Sequence, residues 1–278
     1  MIASAELGLL GGDLPTPVSE RAPVLANRAL SDRYRSLRLR SAMIAQRARA
    51  GQFVMVAPDA RPGTVLPRPM AIYTRDAERG VVEIVYGVVG DGTRSLAAVA
   101  EGEHVVVTGP LGHGFTIADE TRHVLLIGRG VGTCAMTSVA QDLAGTPVRV
   151  SAVLSGRDPT AVLGEDVLRG CGAELLLVTD AEGTSPVSAL RERLHRVFDD
   201  DPPQQILTSG SERLTRLAVQ LAARWRASAQ VSIEAHMACG LGYCHGCAAG
   251  GGDGTLEAPL VCRDGPVFGI GGEPARRS

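Results

Sequence analysis

Four cysteines gather near the C-terminal end of the sequence. Cys239, Cys244 and Cys247 lie in "HMACGLGYCHGCAAGG", and Cys262 follows in "PLVCRDGPVFGI". The spacing is C-x4-C-x2-C, then fourteen residues, then the last Cys. Thiolates at this spacing hold a [2Fe–2S] cluster of the plant type. Three of them wrap one edge of a compact cluster, and a fourth arrives from a separate segment and closes the cage. Gly240, Gly242 and Gly246 let the backbone come close and turn amides toward sulfur. A structural zinc site also takes four cysteines, but as two pairs of short spacing. Only Cys244 and Cys247 form such a pair here. His236 and His245 flank the ligands and read as surface residues of the loop, because four cysteines already complete the set. Cys134 and Cys171 stand alone and read as small buried hydrophobes.

Two further stretches could bind anions. "GVVGDGTRSL" places Gly90, Gly92 and Thr93 in a tight turn that leads into a helix. Free amides at such a start favour phosphate. In "LPRPMAIY", Arg68 precedes Pro69 at the mouth of a strand, and a guanidinium there could bind the same pyrophosphate. Each is weak alone; their order before "GPLGHGF" strengthens them. Further on, "RHVLLIGRGVGTCAMTSVAQDLAG" reads as a strand, a Gly-rich turn and a helix.

These residues need elements to position them. The chain has 278 residues, enough for about two domains. Apolar residues make up 45% and charged residues 21%, a soluble balance. The net charge of -2 argues against a nucleic-acid partner. Every basic residue is Arg, so lysine Schiff-base chemistry is excluded. No run approaches the ~20 apolar residues of a membrane span. The N-terminus lacks the basic start of a signal peptide, so the expected location is the cytoplasm, where a cysteine cluster binds metal rather than forming disulfides.

Residues 1–22 read as an extension with little structure of its own. "RALSDRYRSLRLRSA" reads as a strand or a short helix. "GQFVMVAP", "PMAIYT", "GVVEIVYGVV" and "EHVVVTGP" read as strands at short intervals, so 23–118 is expected to be a small β-barrel. Over 119–229 strands alternate with helices, which implies a doubly wound parallel sheet. One of those helices shows an apolar period at Val187, Leu190, Leu194 and Val197. Residues 230–278 form a third, small module around the cysteines.

The motifs "GQFVMV", "RPMAIY", "VVGDGTRSL", "GPLGHGF", "VLLIGRGVG", "HMACGLGYCHGC" and "VCRDGPVF" occur in that order. On these the chain resembles the iron–sulfur electron-transfer subunits of the dihydroorotate dehydrogenase B family, which are ferredoxin–NADP reductase-like flavoproteins. The resemblance implies an antiparallel FAD-binding barrel, an NAD-binding α/β domain and a terminal [2Fe–2S] module. It implies that Arg68, Pro69, Met70 and Ala71 line the flavin, and that Gly90, Gly92 and Thr93 hold its pyrophosphate side. It implies that Gly128, Gly130, Val131 and Gly132 form the turn for NAD(H), with Ser209 and Gly210 near the nicotinamide. The implied partner is an FMN-containing barrel subunit that oxidises dihydroorotate, in a hetero-oligomer. The cofactors carry the chemistry, so no residue of this chain is expected to be catalytic.

The sequence departs from that pattern in three places. Ala71 stands where the family has Ser, Ser209 to Ser211 stand where it has Cys-Gly-Pro, and Arg129 interrupts a turn of glycines. These changes bear on nicotinamide more than on FAD or the cluster. After the second strand of the nucleotide domain, "SGRDP" offers Ser155 and Arg157. Arg157 suits either a 2′-phosphate or a solvated loop, and the resemblance alone implies NAD. Two alternatives keep different parts of this reading. The scaffold could serve another partner, such as a hydrogenase, a sulfur reductase or a specialised biosynthetic oxidoreductase. Or the four cysteines could hold Zn in an assembly protein without redox function.

Overall fold

Six strands close into an antiparallel barrel in the computed structural model, which describes residues 7–11, 14–59, 66–249 and 258–270. In chain order, β1 is Leu7–Gly8, β2 is Val18–Ala29, β3 is Tyr34–Arg40, β4 is Phe53–Pro58, β5 is Arg68–Asp76, β6 is Val81–Gly87 and β7 is His104–Leu111. The barrel order is β2-β3-β6-β5-β4-β7, and β2 closes it by pairing with β7 from Val18↔Gly109 to Pro23↔His104. Alternation explains the closure. Val24, Leu37, Leu39, Val54, Val56, Ile72, Ile84 and Val107 all point inward and fill one apolar core. "RALSDRYRSLRLRSA" thus resolves as a strand over β3, with the short helix α1 only afterwards at Ala42–Arg47.

The first strand of this barrel lies partly within the stretch read as an extension. Val18 to Ala22 are paired in the barrel, because their carbonyls and amides complete the edge of β7. Leu7 and Gly8 are paired too, with Ile270 and Gly269 of the distant C-terminal strand. Residues 1–6, 12 and 13 of that extension lie outside the described residues.

The second sheet has seven strands. Beyond β1 these are β8 His123–Arg129, β9 Arg149–Gly156, β10 Glu174–Thr179, β11 Gln205–Ser209, β12 Ser228–Ser232 and β13 Val267–Ile270. Their order is β1-β13-β12-β11-β8-β9-β10. β12, β11, β8, β9 and β10 run parallel, and β13 and β1 add antiparallel at one edge. Helix α2 (Asp91–Ala97) belongs to the barrel; α3 (Thr133–Leu143), α4 (Glu165–Gly170), α5 (Val187–Phe198) and α6 (Glu212–Trp225) cover the second sheet. α3 and α4 pack on one face, with Leu126, Leu154 and Leu207 beneath them. α5 and α6 pack on the other, over Leu125, Ile127 and Ile206. The chain runs outward from β8 to β10 and then returns to the other side of β8. The order therefore reverses between β8 and β11, the switch point beside which open α/β sheets bind their ligands.

In α5 the buried positions are Leu190, Leu194 and Phe198, not Val197, which is 58% exposed. A 3.6-residue turn favours the fourth position after Leu194, and Phe198 fills it edge-on to Trp225. The cysteine segment is framed by this sheet rather than standing apart: β12 enters it, and β13 leaves it as the neighbouring strand. Residues 250–257 and 271–278 of the expected 230–278 module lie outside the described residues.

Candidate electron-transfer site

At the barrel mouth, β5 begins with Arg68, paired across from Val56 of β4. Its guanidinium donates to the carbonyls of Leu66 (2.9 Å) and Pro67 (3.4 Å), which bends the side chain back over the strand start. There it lies on Gly92. A methyl at Gly92 would fall 2.5 Å from the Arg68 Cζ, so only a glycine lets the guanidinium reach this turn. The structure thus brings together Arg68 and the Gly90–Thr93 turn, which the sequence places far apart.

The turn itself is braced by Thr93. Its Oγ1 accepts from the amides of Val89 (2.9 Å) and Gly90 (3.1 Å) and donates to the Gly90 carbonyl (3.0 Å). Those two amides are therefore spent within the turn. The amides left for an anion are those that open α2, and Arg68 lies over them. A cradle that a single methyl would fill, with a guanidinium as its roof, fits a pyrophosphate. Further along β5, Met70 is buried in the barrel core, and Ala71 packs with Tyr34, Val85, Val131 and Cys134 where the barrel meets α3. The two units dock firmly: Thr137 of α3 donates to the Tyr73 carbonyl (2.8 Å), and Gln141 donates to the Arg75 carbonyl (2.6 Å).

The switch point of the second sheet carries the other Gly-rich turn. Gly130–Gly132 is a single 3-10 turn between β8 and α3. Gly130 has φ +54 and faces the Tyr34 hydroxyl. A methyl at Gly132 would meet the Ser209 and Gly210 backbones at 2.8 Å, so this turn and the end of β11 touch across the switch point. Gly128, Gly130, Val131, Gly132, Ser209 and Gly210 are thus one neighbourhood. Three hydroxyls here, Thr133 Oγ1, Thr208 Oγ1 and Ser211 Oγ, are buried with no partner among the described residues. Ser211 opens α6 without a side-chain cap. Orphan hydroxyls at a switch point suit a polar ligand such as a dinucleotide.

Arg129 departs from an open turn. It donates to Ser155 Oγ (2.7 Å) and to the Gly156 carbonyl (3.4 Å), and it pairs with Asp180 at 2.6 Å. It straps the ends of β8, β9 and β10 together.

The cysteines converge from two sides. Cys239 and Cys244 lie on the outer loop, half-buried and exposed; Cys247 and Cys262 are buried in the apolar core shared by Phe53, Met55 and Leu111. The Cys262 amide donates to the Cys247 sulfur at 3.4 Å, and the Leu241 amide donates to the Cys239 sulfur at 3.4 Å. Burial works to raise the Cys239 thiol, but amides of Leu241, Cys244 and Tyr243 outweigh it and bring the thiol down to about 6. Burial and the neighbouring Cys247 push Cys262 up to about 12. Cys239 acts on Cys262 as Cys247 does, so the thiols of the loop and of the later segment face one another. Four thiols from two segments are the donor set that a [2Fe–2S] cluster takes. Gly240, at φ +70, lies against Met55 and Leu111, and seats the loop on the barrel wall. His236 and His245 are exposed, and Cys171 is half-buried at the end of α4 rather than within a core.

Sequence reasoning passed over Glu234. It follows β12 at the entrance to the cysteine loop, exposed at its surface, and the protein packed round its carboxyl raises its pKa above the usual range. Burial, with Glu234 adding to it, pushes Cys134 up to about 12. A lone acid between an apolar strand and a cysteine motif was the available signal.

Comparison with known proteins agrees with this geometry. Residues 234–271 match the iron-sulfur cluster binding domain of dihydroorotate dehydrogenase B. The chain is 31% identical over 256 residues to the electron transfer subunit of dihydroorotate dehydrogenase B (NAD(+)) from Streptococcus thermophilus, covering 91% of this chain and 97% of that one. It is 32% identical over 221 residues to the subunit of that name from Listeria monocytogenes, covering 78% and 84%. Among solved structures, an NADH-dependent reduced ferredoxin-NADP oxidoreductase superposes with a TM-score of 0.74 at 22% identity, over 94% of this chain and 90% of the other. That likeness shows the fold.

Proposed function

The chain belongs to the family of dihydroorotate dehydrogenase B electron-transfer subunits, and from that membership we propose that it passes electrons between a flavin-containing catalytic partner and NAD(H). The observation that carries this reading is the seam at Gly240. There the cysteine loop rests on the same barrel wall, β4 and β7, that leads to the mouth held by Arg68. The thiol loop, the Arg68–Gly92 cradle and the Gly128–Gly132 turn therefore belong to one packed body.

When bound, FAD exchanges hydride with a nicotinamide and single electrons with a [2Fe–2S] cluster. The chain's own residues bind and orient. Arg68 and the amides beside Gly92 hold the FAD pyrophosphate, and Thr93 and Gly90 fix the turn. Pro69 and Ala71 line the flavin, and Met70, its side chain in the barrel core, does so through its backbone. Gly128, Gly130, Val131 and Gly132 let a dinucleotide approach the switch point, with Ser209 and Gly210 at its nicotinamide end. Cys239, Cys244, Cys247 and Cys262 hold the cluster. Exposed Tyr243 and Leu241 crown the loop and are available to an FMN-containing partner in a hetero-oligomer. No helix among the described residues is long and apolar enough to cross a membrane. We place the protein in the cytoplasm, where free thiols such as these persist.

The test is an anaerobic visible spectrum of the purified protein before and after NADH. Flavin bands with an iron–sulfur shoulder to the red, both bleached by NADH, are expected. A colourless protein with stoichiometric zinc would overturn the redox reading. Coloured protein that NADH leaves unchanged would remove nicotinamide alone.

A further inference from the structure

We propose that Tyr34, a residue of the barrel, is a ligand of the nucleotide: its phenol hydroxyl donates to the diphosphate that the Gly128–Gly132 turn receives. The proposal rests on the nucleotide reading above and adds to that site a residue from the other unit of the protein.

The three glycines of the turn differ in what faces them. A methyl at Gly128 would meet Thr133 Cα and Oγ1 at 3.0 Å, and one at Gly132 would meet the Ser209 and Gly210 backbones at 2.8 Å, so protein fills both positions. A methyl at Gly130 would find, besides its chain neighbours, one atom of the described residues within 4 Å: the Tyr34 hydroxyl oxygen, at 3.3 Å. Open space therefore begins at Gly130, and a phenol oxygen stands at its edge. Helix α3 starts behind this turn without a side-chain cap, and the positive end of its dipole favours a negative group there.

Tyr34 is fixed so that only this tip is presented. The residue is 6% exposed, and its ring packs with Val85, Cys134 and Leu163. It pairs with Gly87 across β3 and β6. Its carbonyl accepts from the amides of Leu30 (2.9 Å) and Ser31 (3.2 Å), and its own amide donates to Ser31 Oγ (3.2 Å). The Arg33 guanidinium lies over the ring, 5.7 Å from its centre. Among the described residues the Tyr34 hydroxyl has no hydrogen-bond partner. A buried phenol ordinarily finds one, as Tyr86 does in the barrel by donating to Asn27 Oδ1 at 3.1 Å. The unspent donor of Tyr34 faces the open side of a turn suited to an anion. A phosphate oxygen there, as a charged acceptor, would complete it.

The experiment is calorimetric titration of the full, cofactor-loaded chain with NAD⁺ and with 5′-ADP, which carries the diphosphate without the nicotinamide. Tyr34→Phe should weaken both ligands about tenfold, the effect of one hydrogen bond to a charged acceptor. Its denaturant midpoint and flavin content should match those of the unaltered chain, because the lost hydroxyl bonds no described protein group. Tyr86→Phe removes a hydroxyl that is bonded inside the barrel and should do the reverse, lowering the midpoint and leaving both affinities unchanged. Unchanged affinities in Tyr34→Phe would overturn the proposal. A loss confined to NAD⁺ would also overturn it, because the hydroxyl would then serve the nicotinamide end, and so would release of flavin from Tyr34→Phe. Failure of the unaltered chain to bind either ligand would overturn the nucleotide reading itself, a result distinct from binding that Tyr34→Phe leaves intact.

Discussion

The Arg68 guanidinium lies on the Cα of Gly92, so close that no other residue could stand at that position without moving it. One residue opens a barrel strand, and the other belongs to the first turn of a short helix. Neither motif is specific alone. Their contact turns a half-buried Arg and an ordinary turn into a cradle with a charged roof. The glycine is needed there for proximity, since its φ carries no left-handed strain.

Gly92→Ala should therefore weaken flavin binding without unfolding the barrel. The added methyl displaces Arg68, and a charge-assisted hydrogen bond is worth about 1.5–3 kcal/mol. Flavin should dissociate about ten- to a hundredfold more readily. Flavin content after gel filtration, with far-ultraviolet circular dichroism as the folding control, checks this. Arg68→Ala should give the same loss, and the double variant little more, because both act through one contact.

Cys262→Ser should abolish the iron–sulfur absorption while leaving flavin in place. Cys262 lies in the segment before β13, and its amide donates to the Cys247 sulfur. An alcohol is a poor ligand for iron at neutral pH, whereas the Arg68–Gly92 cradle contains none of the four cysteines. Iron, sulfide and flavin measured per chain give the answer: two irons in the unaltered protein, near none in the variant, and flavin equal in both. A zinc-only protein would fail the first of these.

Much of this was legible in the sequence. Strand alternation over Val24, Leu37, Ile72 and Ile84 announces a barrel, because period-2 patterns survive any detail of packing. The cysteine spacing announces its site for a similar reason, since ligand geometry is local. What was not legible depends on contacts between distant segments. Val18 to Ala22 carry no strong strand signal, and only the open edge of β7 recruits them. Leu7 and Gly8 are paired by β13, more than two hundred residues away in sequence. Val197 fits the helical period on paper, but Phe198 is larger and meets Trp225 and His123. Arg129 looked like a flaw in a glycine turn, and its tie to Ser155 and Asp180 emerges only when three strand ends are side by side.

The buried imidazole of His123 makes stability depend on pH. Burial, and then the Arg149 guanidinium beside it, lower its pKa to about 4 from an ordinary 6.5. Arg149 donates to Nδ1 (2.8 Å), and the opposite ring nitrogen meets Ser151 Oγ (3.0 Å), so the ring is held neutral. The unfolded chain takes up a proton below about 6.5, while the folded chain resists until about 4. This group therefore withdraws stability as pH falls through that window and is silent above it. Denaturant midpoints of the unaltered protein and His123→Gln, measured from pH 7.5 down to pH 4.5, should converge as pH falls. A constant difference between them would refute this assignment.

The seam between cluster loop and barrel can be tested at Gly240. Its φ of +70 would strain any other residue, and a methyl there would meet Met55 Cγ at 2.5 Å and Sδ at 2.9 Å. The left-handed backbone costs an ordinary residue about 1–2 kcal/mol. Overlap in a packed seam adds about 1–3 kcal/mol. Gly240→Ala should thus destabilise the loop and lift it from β4, slowing reduction of the cluster by NADH more than reduction of the flavin. Met55→Ala removes the obstructing side chain and leaves the backbone strain. In a double-mutant cycle, Gly240→Ala with Met55→Ala should be less destabilised than the sum of the single variants, by about 1 kcal/mol or more. Strict additivity would mean that Met55 does not seat the loop. Stopped-flow absorbance at flavin and cluster wavelengths reads the kinetic part, and denaturant melts read the energetic part.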